Sequence, residues 1–195
     1  MTDGRVAVLV SGGGTNLQAL IDAQKKGIIR SGRIVLVVSS NPDAYALTRA
    51  KKADIPTFVA EKGANFEKSI IAAIEEAKAD FIVLAGFMKI LSADFVRRYE
   101  RRIINVHPAL IPSFCGEGFY GLKVHQAALD YGVKVTGATV HFVNEIPDGG
   151  EIIAQKAVAI REDDTAETLQ KRVMRLAEHK ILPLALEKCL SEARR

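Results

Sequence analysis

Asn105 and His107 are spaced by two in the run Ile103-Ile104-Asn105-Val106-His107-Pro108, and on an extended chain that spacing turns both side chains to one side. An amide and an imidazole aimed at one point are the donors an acyl-transfer reaction needs where a carbonyl oxygen turns negative. Pro108 holds the residue before it in extended backbone and ends the strand there. His107 is thereby left at a strand's carboxyl end, where open α/β sheets place their ligands. Asp148, in Asn144-Glu145-Ile146-Pro147-Asp148-Gly149-Gly150, offers the carboxylate that would complete the set. If its loop folds back over the Asn105 strand, Asp148 pairs with His107, and the nearby negative charge predicts a protonated imidazole with a raised pKa. For local structure alone, the same residues are a strand-end Asn beside a packed histidine, and Asp-Gly-Gly is a hairpin turn returning through Ile152 to Ile160.

A second stretch with chemistry in it lies near the N-terminus. Arg5 to Val10 is an apolar run of strand length that stops at Ser11-Gly12-Gly13-Gly14-Thr15-Asn16, after which Leu17, Leu20, Ile21 and Gln24 recur at helical spacing. Strand, glycine turn and helix together aim free backbone N–H groups and the positive end of a helix at an anion such as phosphate. The alternative is a tight turn with Thr15 or Asn16 as its N-cap. The Lys-Ser/Thr ending of a nucleotide P-loop is absent, and Leu17 stands three residues after Gly14 where the dinucleotide fingerprint wants glycine. Polyphosphate and dinucleotide ligands are disfavoured.

The elements that must position these residues alternate along the chain. Ile34 to Val38, Ile55 to Val59 and Phe81 to Leu84 are strand-like, and between them Ala44 to Ala53 and the stripe Phe66, Ile70, Ile74 and Ala77 are helical. Ser92 to Tyr99 and Lys123 to Tyr131 are further helices, the latter stopped by Gly132. Val135 to Phe142 alternates, with Gly137, Thr139 and His141 on one face; His141 taken alone is a hydrogen-bonded core histidine. Asp164-Thr165-Ala166-Glu167 resembles a capping box that opens a long last helix, bent or interrupted at Pro183, in which Glu178 and His179 are exposed charges by default. The pattern predicts an open, mostly parallel twisted sheet with helices on both faces. We expect one domain over residues 1–195, its N-terminal half to about residue 100 binding phosphate and its C-terminal half from about 101 carrying catalysis.

Composition agrees with a small-molecule enzyme. The 195 residues are 48% hydrophobic, and 27 basic against 23 acidic residues give a charge of +4, spread thinly rather than as the dense basic stripe that nucleic acid requires. Cys115 and Cys189 make no disulfide framework and show no metal spacing. With no membrane-length apolar run and no signal peptide, a cytoplasmic protein without metal, nucleic-acid or membrane partners is expected, as a monomer or homodimer.

Taken together, S-G-x-G-[ST]-N-L after the first strand, A-G-F-M-x-I-L at Ala85 to Leu91, N-x-H-P-x-L-x-P from Asn105, G-x-T-V-H-F-V from Gly137, the D-x-G at Asp148 and E-H at Glu178 resemble the folate-dependent formyltransferases. They do so in order, over essentially the full length. The resemblance implies a Rossmann-like formyltransferase fold. It implies transfer of the formyl group of 10-formyltetrahydrofolate to the amine of phosphoribosylglycinamide, in purine synthesis. It also implies Asn105, His107 and Asp148 as catalytic, Gly14, Thr15 and Asn16 on the ribose phosphate, and Glu178 on the glycinamide. Met88, Lys89, Ile90, Leu91, Asn105, Ile146 and Pro147 would frame the folate, with Gly63 as a further contact. This chain departs from the family at Lys89, where many relatives carry Arg, at Ala109 for Ser, and in a longer Cys115 to Gly121 loop. A hydrolase of the same folate, a sugar-nucleotide formyltransferase and a non-catalytic folate binder are the competing expectations.

Overall fold

Uninterrupted runs of Val, Ile, Leu and Ala can only be satisfied by burial on both faces, and that is how the sheet is filled. The computed structural model describes residues 4–193, so the outermost ends of the expected 1–195 domain lie outside the described residues. The strands are β1 (Gly4–Val10), β2 (Gly32–Ser39), β3 (Thr57–Val59), β4 (Phe81–Leu84), β5 (Ile103–His107), β6 (Val135–Phe142) and β7 (Ile152–Ala159). They form one seven-stranded sheet in the order β3-β2-β1-β4-β5-β6-β7. It is parallel from β3 through β5 and antiparallel across β5, β6 and β7.

Helices α1 (Thr15–Lys25), α2 (Tyr45–Lys52), α3 (Phe66–Glu76), α4 (Ala93–Arg98), α5 (Leu122–Tyr131), α6 (Ala166–Val173) and α7 (His179–Glu192) cover both faces. The alternation of β1 makes this concrete. Val6, Val8 and Val10 pack with Leu17, Leu20, Leu182 and Leu186 on one face. Ala7 and Leu9 pack with Ile70, Ile74, Ile82 and Phe95 on the other. The chain therefore leaves β1 toward one face and β4 toward the opposite one, and the crevice between these adjacent strands opens at their carboxyl ends, the usual ligand position in such sheets. Among the described residues no helix is long and apolar enough to cross a membrane.

Two local details differ from expectation and one decides between alternatives. The N-cap of α1 is Gly14, left-handed at φ 70°, with no side-chain cap, rather than Thr15 or Asn16. The box opening α6 closes between Thr165 and Thr168, the third helical residue, rather than Glu167. The last helix is interrupted by a π-helical segment, Met174–Glu178, while Pro183 sits inside α7. Pro183 has no N–H to return to the carbonyl four residues back, at His179, so its missing bond falls at the junction where the helix has already widened.

Candidate active site

The antiparallel step from β5 to β6 builds the site. Its register sets Asn105 opposite His141 and His107 opposite Thr139, so the alternating faces of two strands merge into one polar surface. The loop after β6 then returns across this surface. Asp148, held in the left-handed region at φ 55° that Asp tolerates better than most residues, brings its carboxylate to the end of β5. Gly150 closes the turn: a Cβ there would lie 1.7 Å from the Phe142 carbonyl oxygen.

Asp148 Oδ2 accepts the Gly116 amide at 2.9 Å and lies 3.4 Å from His107 Nδ1. Its Oδ1 lies 3.5 Å from both Asn105 Nδ2 and His141 Nε2. Asn105 Nδ2 is also 3.2 Å from His141 Nε2. The other His107 nitrogen, Nε2, donates to the Phe114 carbonyl at 2.8 Å. Asn105, His107 and Asp148, expected from the sequence, are brought together, and His141 joins them as a fourth member. Its place is fixed by the β5–β6 register, so the Asn105 face and the His141 face in the sequence would have pointed to it only once those strands were paired.

The charge state of His107 departs from the sequence expectation. Burial lowers its pKa, and although the Asp148 carboxylate and the Phe114 carbonyl pull it upward, the net shift is downward. The expected raised pKa is thus corrected, because removing the ring from water outweighs a carboxylate 3.4 Å away. Burial alone would raise Asp148, but His141, His107 and the Gly116 amide hold it below the usual carboxylate range.

Around this cluster lie two cavities. The larger, about 790 Å³, runs from Gly12–Asn16 past Met88, Lys89 and Ile90 to the 116–121 loop, Lys123 and Glu178. The smaller, about 150 Å³, lies between Lys89, Ile90, Leu91 and Ile146, Pro147. Asn105 and Asp148 line both. Ser11 Oγ ties the two loops by accepting the Met88 amide at 2.8 Å. Glu178, expected by default as an exposed charge, is buried: Asn16 Nδ2 donates to it at 2.7 Å, and burial raises its pKa against that bond. Asn16 Oδ1 is left without a partner. Gln170 and Met174 line the larger cavity on the Glu178 face of the helix, and sequence reasoning singled out neither. Gly63 is exposed between β3 and α3 and lines neither cavity. His125, also missed, lines the larger cavity fully buried, with neither ring nitrogen bonded.

The arrangement offers a glycine turn leading into a helix start with no side-chain cap at one end, a narrow slot of mixed polar and apolar side chains at the other, and amide, imidazole and carboxylate groups between. Such a site can bring two molecules together across an acyl transfer.

Comparison with known proteins agrees. A family model described as formyl transferase matches residues 4–186. The trifunctional purine biosynthetic protein adenosine-3 of Bos taurus is 47% identical over 194 residues, 97% of this chain and 18% of that protein. Phosphoribosylglycinamide formyltransferase of Haemophilus influenzae is 41% identical over 188 residues, 94% of this chain and 85% of that one. The crystal structure of phosphoribosylglycinamide formyltransferase from Brucella melitensis superposes with a TM-score of 0.88 at 43% identity, covering 97% of this chain and 96% of its own. The chain thus spans under a fifth of the trifunctional relative and most of the single-function ones.

Proposed function

The chain belongs to the formyl transferase family, and on that footing we propose that it transfers the formyl group of 10-formyltetrahydrofolate to the amine of phosphoribosylglycinamide. One observation carries the reading: the cavity that starts at the glycine turn and the slot between the 88–91 and 146–147 loops share Asn105 and Asp148 as a common wall. The phosphate end of the acceptor belongs at Gly14, Thr15 and Asn16. Its glycinamide passes Glu178, and the folate ring lies between Met88, Lys89, Ile90 and Leu91 on one side and Ile146 and Pro147 on the other.

The chemistry follows from the resting charges. His107 starts neutral, its Nε2 proton committed to Phe114, so Nδ1 carries a lone pair beside ionised Asp148. The acceptor amine attacks the formyl carbon, and the carbonyl oxygen becomes an oxyanion that Asn105 Nδ2 meets with a hydrogen bond. The proton shed by the amine passes to His107 Nδ1, directly or through Asp148. The resulting imidazolium has an acceptor on each nitrogen and places positive charge beside the adduct. Collapse expels the folate nitrogen, which takes the proton back.

The test is formyl transfer assayed with and without the phosphorylated acceptor. Formylated acceptor and free tetrahydrofolate appearing together support the proposal. Acceptor-independent formate release indicates a hydrolase, and folate binding without turnover indicates a carrier.

A further inference from the structure

An amide cradle binds an anion only if its N–H groups face the ligand, and a run of three glycines does not fix that orientation by itself. In this chain the orientation is imposed from α2. The Ala46 amide donates to the Gly12 carbonyl at 3.1 Å. Arg49 Nε donates to the Gly13 carbonyl at 2.8 Å. In a trans peptide the C=O and the following N–H point in opposite directions. Drawing those two carbonyls toward α2 therefore turns the amides of Gly13 and Gly14 away from it, toward the larger cavity that both residues line.

Arg49 is itself held in place. Its Nη1 donates to Gln18 Oε1 at 3.1 Å, across to α1, and its guanidinium lies 5.0 Å over the ring of Tyr45. The approach is close enough that a Cβ on Gly14 would meet Ala46 Cβ at 2.6 Å. No side chain caps α1, so its first-turn amides are left to a ligand.

The geometry points to Arg49 as the positioning residue of the anion cradle: from behind the glycine turn it fixes the Gly13–Gly14 peptide for a sugar phosphate and adds a positive charge without touching the ligand. This rests on the proposed acceptor being phosphorylated, so the experiment reads binding separately from turnover. R49M keeps the aliphatic stem and removes the fork. R49K restores one donor but neither the second hydrogen bond nor the planar stacking.

With R49M, KM for phosphoribosylglycinamide and Kd for ribose 5-phosphate, the latter followed by ³¹P NMR, should both rise about tenfold, the scale of one lost charged hydrogen bond. The kcat and the KM for the formyl-folate should stay near wild type, and R49K should fall between. With the dephosphorylated ribosyl acceptor, wild type and R49M should become equal. Unchanged ribose 5-phosphate affinity in R49M overturns the inference, as does an equal loss with the dephosphorylated acceptor, which would mean general loosening. If wild type fails to transfer formyl yet binds ribose 5-phosphate through Arg49, the function proposed above falls and this one stands; transfer that ignores Arg49 gives the reverse.

Discussion

The glycine turn at Gly12–Asn16 and the cluster around Asp148 face one cavity but are built by opposite means. The turn uses main-chain amides from a single short segment. Of its side chains Asn16 is engaged by Glu178, and α2 supplies the rigidity from behind. The cluster uses side chains from β5, β6 and the loop after β6, and the 114–116 loop locks it through Phe114 O and Gly116 N. A backbone site depends on conformation, so substitutions there should act through strain and binding. A side-chain site depends on particular atoms, so substitutions there should act on the chemical step.

The largest effect should come from the cluster. Asn105→Ala removes the proposed oxyanion donor and should lower kcat about a hundredfold or more, about 3 kcal/mol of barrier, with KM for the acceptor little changed. Steady-state kinetics with both substrates varied decides this, and near-normal turnover would remove Asn105 from the chemistry. Gly14→Ala should produce the opposite signature. An alanine held left-handed costs about 1–2 kcal/mol, and here its Cβ also meets Ala46, so stability should fall by about 2 kcal/mol while KM for the phosphorylated acceptor rises and kcat holds. Urea unfolding and the same kinetics test it; a kcat loss as large as that of Asn105→Ala would erase the contrast between the two regions.

A smaller effect separates the cluster from the histidine beside it. His125 is buried without a hydrogen-bond partner, and burial, helped by the neighbouring His107, lowers its pKa from 6.5 to about 4. Between about pH 4 and 6.5 unfolding lets it take up a proton, so the unfolded state binds more protons and stability falls as pH falls through that window. Between pH 7 and 5.5 the loss from this residue should be about 1 kcal/mol. His107 and His179, whose pKa values are also lowered, act with the same sign. His125→Phe should flatten this decline in paired urea titrations, and an undiminished slope would mean that the ring is not held neutral by its surroundings.

The same contrast explains what the sequence made legible. The glycine turn could be identified because strand, glycines and helix are contiguous, and periodicity alone locates them. Apolar runs of strand length likewise announced a buried parallel sheet. His141 was invisible because its role depends on which residue β6 sets opposite Asn105, and no local pattern encodes the register between strands thirty-odd positions apart. Glu178 was expected in solvent because a charge on a helix normally is. What buries it is Asn16, contributed from the far end of the chain, together with a widened turn whose geometry the sequence does not announce. The expected raised pKa of His107 failed for a related reason: a partner charge can be guessed from two residues, whereas desolvation depends on everything packed around them.

That failure leads to the finest test, one of direction rather than size. In the mechanism proposed here His107 must be neutral to receive the amine proton, so kcat/KM should decline as pH falls through its pKa, and that limb should lie below 6.5. Had Asp148 prevailed over burial, the imidazolium would persist at neutral pH and the same acid limb would lie above 6.5. Asp148→Asn sharpens the choice, because it deletes the carboxylate that draws the His107 pKa upward while the ring stays buried. The ring resonances of His107 should then titrate at still lower pH than in wild type, together with the acid limb of whatever activity survives. A His107 that titrates identically in both proteins would show that the 3.4 Å contact carries no charge coupling, and the cluster would then owe its geometry to the Phe114 and Gly116 hydrogen bonds alone.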